Sequence, residues 1–148
     1  MFKFILLAFI AAAACGTPKT TSDESSANTT ETSIEKENGT ITLAVGERKK
    51  VGELQIQFKE VLEDSRCPTG TTCIWQGRAK LLVETSQAGM DVVQSEIIFG
   101  KLQNGEIENH TFYKSGKTTI TATGINPYPS KDSGTTNLAY QLTLEVSN

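Results

Sequence analysis

An antiparallel β-sandwich of about seven strands is the fold class this 148-residue sequence predicts. Three observations carry the prediction. Beyond position 38 apolar and polar residues alternate with period two, the mark of half-buried antiparallel strands. Glycine and asparagine punctuate the gaps, at Gly46, Gly52, Gly89, Asn104-Gly105, Gly116 and Gly134. No stretch there repeats its apolar residues at a helical spacing. Many short strands with regular turn signals close as sandwiches, with a small antiparallel β-barrel as the alternative. A domain over 39–148 is long enough to bury its own core.

The chain begins MFKFILLAFIAAAAC. The apolar run Phe4 to Ala14 would make about 16 Å of helix, well short of a bilayer core of about 30 Å. With Lys3 before it and small residues after it, residues 1–14 read as a secretory signal peptide. The run ends in Ala12-Ala13-Ala14-Cys15-Gly16, which resembles the lipobox of bacterial lipoproteins, although Ala12 stands where leucine is usual. That resemblance implies cleavage before Cys15 and acylation of its thiol, anchoring the chain to a membrane. An ordinary signal peptide that happens to contain Cys15 is the alternative.

Residues 15–38 are rich in Ser, Thr, Glu and Asn, and Ile34 is their one large apolar side chain. Such a stretch buries too little surface to offset its ordering entropy, so it reads as a flexible tether.

The strands follow in order. Ile41, Leu43 and Val45 share one face of the first. Leu54, Ile56 and Phe58 share one face of the second, opposite Gln55 and Gln57. Trp75, Ala79, Leu81 and Val83 line one side of the third, with Gln76, Arg78 and Lys80 opposite. Val93, Ile97 and Phe99 define the fourth. Thr111 to Lys114 and Thr118 to Thr123 are weaker strands. Leu138, Tyr140, Leu142, Leu144 and Val146 face inward in the last. Val61-Leu62 breaks the alternation after Glu60, and a bulge there would re-aim the chain.

Three cysteines occur, Cys15, Cys67 and Cys73. With Cys15 assigned to lipid, an even pair remains, and two nearby cysteines in an exported chain usually bridge. Their C-x5-C spacing differs from the C-x2-C of zinc sites. Pro68 and Gly70 suit a tight turn inside the ring. Trp75 and Gly77, next along, read as a stiff corner of the core.

Charge excludes one class of partner. The chain carries 14 basic and 17 acidic residues, net −3; loss of Lys3 with the leader leaves 13 basic residues and a net of −4. The one basic cluster is Arg48-Lys49-Lys50, so nucleic acid is not expected.

The run DSRCP-x4-C-x-W-x-G-x-A, Asp64 to Ala79, resembles a family of small, uncharacterised exported bacterial lipoproteins. Phe58-Lys59-Glu60-Val61 before it, Pro127-Tyr128-Pro129, and the closing strand Tyr140 to Val146 extend the resemblance over most of 54–148. It implies a secreted β-domain with a bridge between Cys67 and Cys73. It implies no activity.

Little in the sequence speaks for an enzyme. His110 is the single histidine, in a polar surface stretch, and no nucleophile elbow, metalloprotease helix or phosphate loop occurs. No cofactor is expected. Asp64, Arg66 and Tyr128 are the candidate partner-binding residues, since loops on a rigid scaffold carry binding groups and Arg66 could clamp an anion. The opposing reading has Asp64 and Arg66 satisfy each other, and Tyr128 pack in a turn. The expected function is a non-enzymatic binding or assembly module. It would be held by lipid at Cys15 in the bacterial cell envelope, and would contact a protein or envelope polymer. A small envelope hydrolase using paired carboxylates is the alternative.

Overall fold

The alternating segments pair into two sheets. The computed structural model describes residues 32–34, 38–135 and 138–148. Cys15, the leader over 1–14 and the tether apart from 32–34 and 38 lie outside them.

Nine strands are described: β1 (Thr32–Ile34), β2 (Gly39–Ala44), β3 (Arg48–Val51), β4 (Leu54–Asp64), β5 (Arg78–Gln87), β6 (Val93–Gly100), β7 (Thr111–Ser115), β8 (Thr118–Asn126) and β9 (Gln141–Ser147). One sheet has the order β1-β3-β4-β5-β6 and the other β2-β9-β8-β7. All neighbours are antiparallel except β1, which runs parallel to β3. The two sheets remain separate layers, which sets the barrel alternative aside.

Period two explains the layering. Ile56, Phe58, Leu81, Val83 and Ile97 of the first sheet are buried against Leu43, Ile120, Leu142 and Leu144 of the second. Each such side chain contributes about 2 kcal/mol by leaving water. The polar residues between them face outward along β4 and β9.

Two strands were not expected. β3, RKKV, carries three cations in a row and hides its period. It forms because Gly52 and Glu53 turn the chain back and set Val51 opposite Leu54. Two of its three cations are thereby spent on the sheet: Arg48 donates to the Gln57 amide oxygen, and Lys49 to the Thr42 carbonyl. β1 falls within the stretch assigned to the tether.

The break at Val61-Leu62 is a pair of register shifts, between Phe58 and Glu60 and again between Val61 and Glu63. They bend the end of β4, and Asp64 and Arg66 face the second sheet in consequence.

Three expectations about side-chain direction are corrected. Val45 follows β2 and is exposed, not inward. Trp75 was expected in the core with Ala79, Leu81 and Val83, but it is 74 % exposed. The strand begins only at Arg78, so the alternation cannot be carried back across Gly77. His110, expected at a polar surface, is half-buried; its Nε2 donates to the Ile98 carbonyl at 2.7 Å and ties the β6 edge to the start of β7.

Candidate binding rim

One end of the sandwich gathers the groups the sequence singled out. β4 ends there and β5 begins there, joined by residues 65–77. The ladder continues past the strands: Ser65 N–H donates to the Arg78 carbonyl at 2.8 Å, and Cys67 N–H to the Gln76 carbonyl at 3.1 Å. Cys67 and Cys73 are bridged, as their pairing in sequence predicts. Inside the ring Thr71 N–H and Oγ1 both donate to the Pro68 carbonyl, a turn that Gly70 completes at φ +80°.

Two glycines permit the close approach beneath this loop. A Cβ at Gly77 would lie 1.7 Å from the Ser65 carbonyl oxygen, and one at Gly100 would lie 2.7 Å from the Gly77 carbonyl oxygen. Both have positive φ, +66° and +116°. The space at Gly77 serves the neighbouring backbone of Ser65 and Arg66.

The bridged loop docks on the 126–135 segment. Thr69 N–H donates to the Pro129 carbonyl at 2.9 Å and Lys131 N–H to the Thr69 carbonyl at 3.0 Å, a short parallel pairing. Asn126-Pro127 is a cis peptide bond. Pro129 is buried while Pro127 and Tyr128 face out.

Asp64 and Arg66 satisfy each other and tie the sheets. Arg66 Nε and Nη2 donate to the two Asp64 oxygens at 2.8 and 2.6 Å. Nη1 donates to the Ile125 carbonyl and Nη2 to that of Pro127, both at 3.1 Å. Tyr140, just before β9, donates its hydroxyl to Asp64 at 2.8 Å. The Asp64 side chain is 2 % exposed. Its burial pushes the carboxyl up, but hydrogen bonds from Arg66 and Tyr140 more than offset this and hold it below the usual carboxylate range. Burial and the Asp64 carboxylate push the Tyr140 hydroxyl up to about 12. No buried side-chain nitrogen or oxygen among the described residues lacks a partner.

Tyr128 lies over this network, 49 % exposed, with the Arg66 guanidinium carbon 4.7 Å from its ring centroid. Of the three residues expected at a binding surface, Tyr128 alone presents its side chain outward. Asp64 and Arg66 stand behind it.

A second cluster was missed. Ile74 is 91 % and Trp75 74 % exposed, adjacent to each other just past the disulfide. The Lys101 ammonium lies 5.6 Å from the Trp75 ring centroid. These side chains, with Gln76, Arg78 and Gln103, line an open cleft of about 470 Å³. A second cleft, of about 430 Å³, lies beside it and includes Tyr128 and Ile125; Gln76 and Gly77 belong to both. The sequence signal was available: a tryptophan in the loop before a strand, between a disulfide and a glycine.

Arg78 forms the floor. Its Nε and Nη2 donate to Glu63 at 2.9 and 2.7 Å, and its Nη1 to Glu106 at 2.5 Å. The Arg78 guanidinium holds the Glu63 carboxyl below its ordinary range. Glu106 is held low as well, first by the Gln103 N–H and then by Arg78. Among the described residues no three His, Cys, Asp or Glu side chains converge to hold a metal ion. Comparison with protein-family models, with curated proteins and with solved structures finds no match for this chain.

Proposed function

We propose that this chain is a lipid-anchored, non-enzymatic binding module of the bacterial cell envelope, and that its working face is the rim around the bridged loop. The observation that carries the reading is the exposure of Ile74 and Trp75 beside two open clefts. Large apolar side chains set together on a stiff loop, rather than scattered singly, mark a contact surface. The loop is held from within its ring by the disulfide and from beneath by the Asp64–Arg66–Tyr140 network, so a partner need not order it on binding. The lipobox-like Ala12 to Gly16 supports the anchor at Cys15, and the bridge supports an extracytoplasmic setting.

The carboxylates of this rim are poorly suited to hydrolysis. A glycosidase needs one of its two carboxyl groups protonated as general acid. Glu63 and Glu106 are both held ionised around Arg78.

Crosslinking capture from native membranes tests the reading. Trp75→Ala and Tyr128→Ala should each reduce recovery of the crosslinked partner without lowering the unfolding midpoint. Unchanged recovery by both variants would overturn it. Intact mass spectrometry checks the anchor: acyl chains on Cys15 at the new N-terminus are expected, and an unmodified thiol there would remove it.

A further inference from the structure

We infer that the rim binds a linear acidic polysaccharide, with one sugar ring against Trp75 and another against Tyr128, and with Lys101 pairing a sugar carboxylate. This deepens the binding-face reading above and rests on it.

Four features of the rim lead to this ligand class. The first is flat apolar surface. The Trp75 indole is 74 % exposed and Tyr128 49 %. The negative face of an aromatic ring attracts the weakly positive C–H bonds on one face of a pyranose. A second is an uncommitted cation. Lys101 lies beside the indole and has no carboxylate within ion-pair distance among the described residues, whereas Arg78 is occupied by Glu63 and Glu106. Of the two cations lining the cleft, Arg78 is offset by Glu63 and Glu106, which leaves Lys101 as the one open to an added anion.

Third, the remaining polar groups suit hydroxyls. Gln76 and Gln103 line the cleft, and each amide can both donate and accept. Fourth, there are two clefts rather than one. They share Gln76 and Gly77, and Trp75 lines the first while Tyr128 and Phe99 line the second, so a chain of repeating units can occupy both. Trp75 and Tyr128 each have a cation at the ring: Lys101 at Trp75, and Arg66 at Tyr128. Arg66 is fully engaged with Asp64 and backbone carbonyls, so its part is to hold Tyr128 in place.

The test is calorimetric titration of the full-length protein in detergent micelles. The probes are hexamers of polygalacturonate, hyaluronate and alginate, together with the same hexamers methyl-esterified at their carboxylates. At least one acidic hexamer should bind, and its ester should bind about fivefold more weakly, the range of one exposed ion pair. Lys101→Ala should lose that preference while keeping affinity for the ester. Trp75→Ala should weaken both forms about tenfold, as loss of a central aromatic contact does. Tyr128→Ala should weaken the hexamers more than the matching disaccharides. Equal binding of acid and ester, abolished by Trp75→Ala, would overturn the acidic specificity and leave the binding face standing. No binding of any probe, with Trp75-dependent capture of a protein from membranes, would overturn the saccharide inference alone. No binding of any probe and capture indifferent to Trp75 would overturn both.

Discussion

Asp64 shows how a charged pair at a sheet end acts as a fastener. It accepts from Arg66 through both oxygens and from Tyr140, and Arg66 reaches on to Ile125 and Pro127. Asp64→Asn removes the charge but leaves Arg66 buried, and breaking one half of a buried pair costs about 3 kcal/mol or more. Urea denaturation should show that loss. Replacing both residues with apolar ones of similar volume should cost less than the single change. Gly77 is the other residue on which the rim depends. Gly77→Ala drives a methyl group into the Ser65 carbonyl at a φ of +66°, so both strain and collision oppose it. A destabilisation of about 3 kcal/mol or more is expected by the same measurement, with the disulfide intact on thiol titration. Trp75→Ala, on an exposed ring, should change stability by no more than about 0.5 kcal/mol. These three changes separate what builds the rim from what the rim presents. The pairing of Asp64 with Arg66 was legible as one of two readings of DSR. Which reading held depended on Tyr140, 76 positions further along.

At the scale of the element, strands were readable wherever alternation was clean. β4 keeps it as far as Phe58 and β9 throughout, and their inward residues Leu54, Ile56 and Phe58, and Leu142, Leu144 and Val146, are those the pattern selects. β3 was not readable, because its cations make backbone and edge contacts that need no apolar partner. The third strand was read too early. Alternation is a property of paired backbone, and the pairing of β5 starts at Arg78; before it the chain is a loop, so Trp75 faces water. The bridged loop is itself an element. It closes seven residues, Cys67 to Cys73, and the chain-entropy account gives such a ring about 2 kcal/mol. Cys67→Ser with Cys73→Ser should lower stability by about that amount and should weaken partner capture, since the loop that carries Trp75 becomes mobile.

For the whole molecule, the rim is one place through which pH acts. Asp64 and Glu63 have folded-state pKa values below their unfolded ones. Their contribution is therefore complete above the unfolded carboxylate range and is lost as pH falls below about 4. Tyr140 has the opposite sense. Its folded pKa of about 12 exceeds the ordinary 10.0, so its contribution is present below pH 10.0 and is lost as pH rises toward about 12. Denaturation midpoints measured across pH should be flat between these limits and fall on both sides. Asp64→Asn should make the acid side shallower, with Glu63, Glu84 and Glu106 still contributing to the fall. Tyr140→Phe should make the alkaline side shallower, with Lys80 still contributing.

Composition and period two were enough, by themselves, to determine an all-β domain, most of its inward residues and the cysteine pair. Those features depend on neighbours one or two positions away, or on a count. The tertiary structure alone decided that two distant loops meet at one rim, that Asp64 and Arg66 turn inward, and that Trp75 turns out. Side-chain direction in a loop is set by which backbone crowds beneath it, here Ser65 against Gly77, and that contact exists only once β4 and β5 have paired.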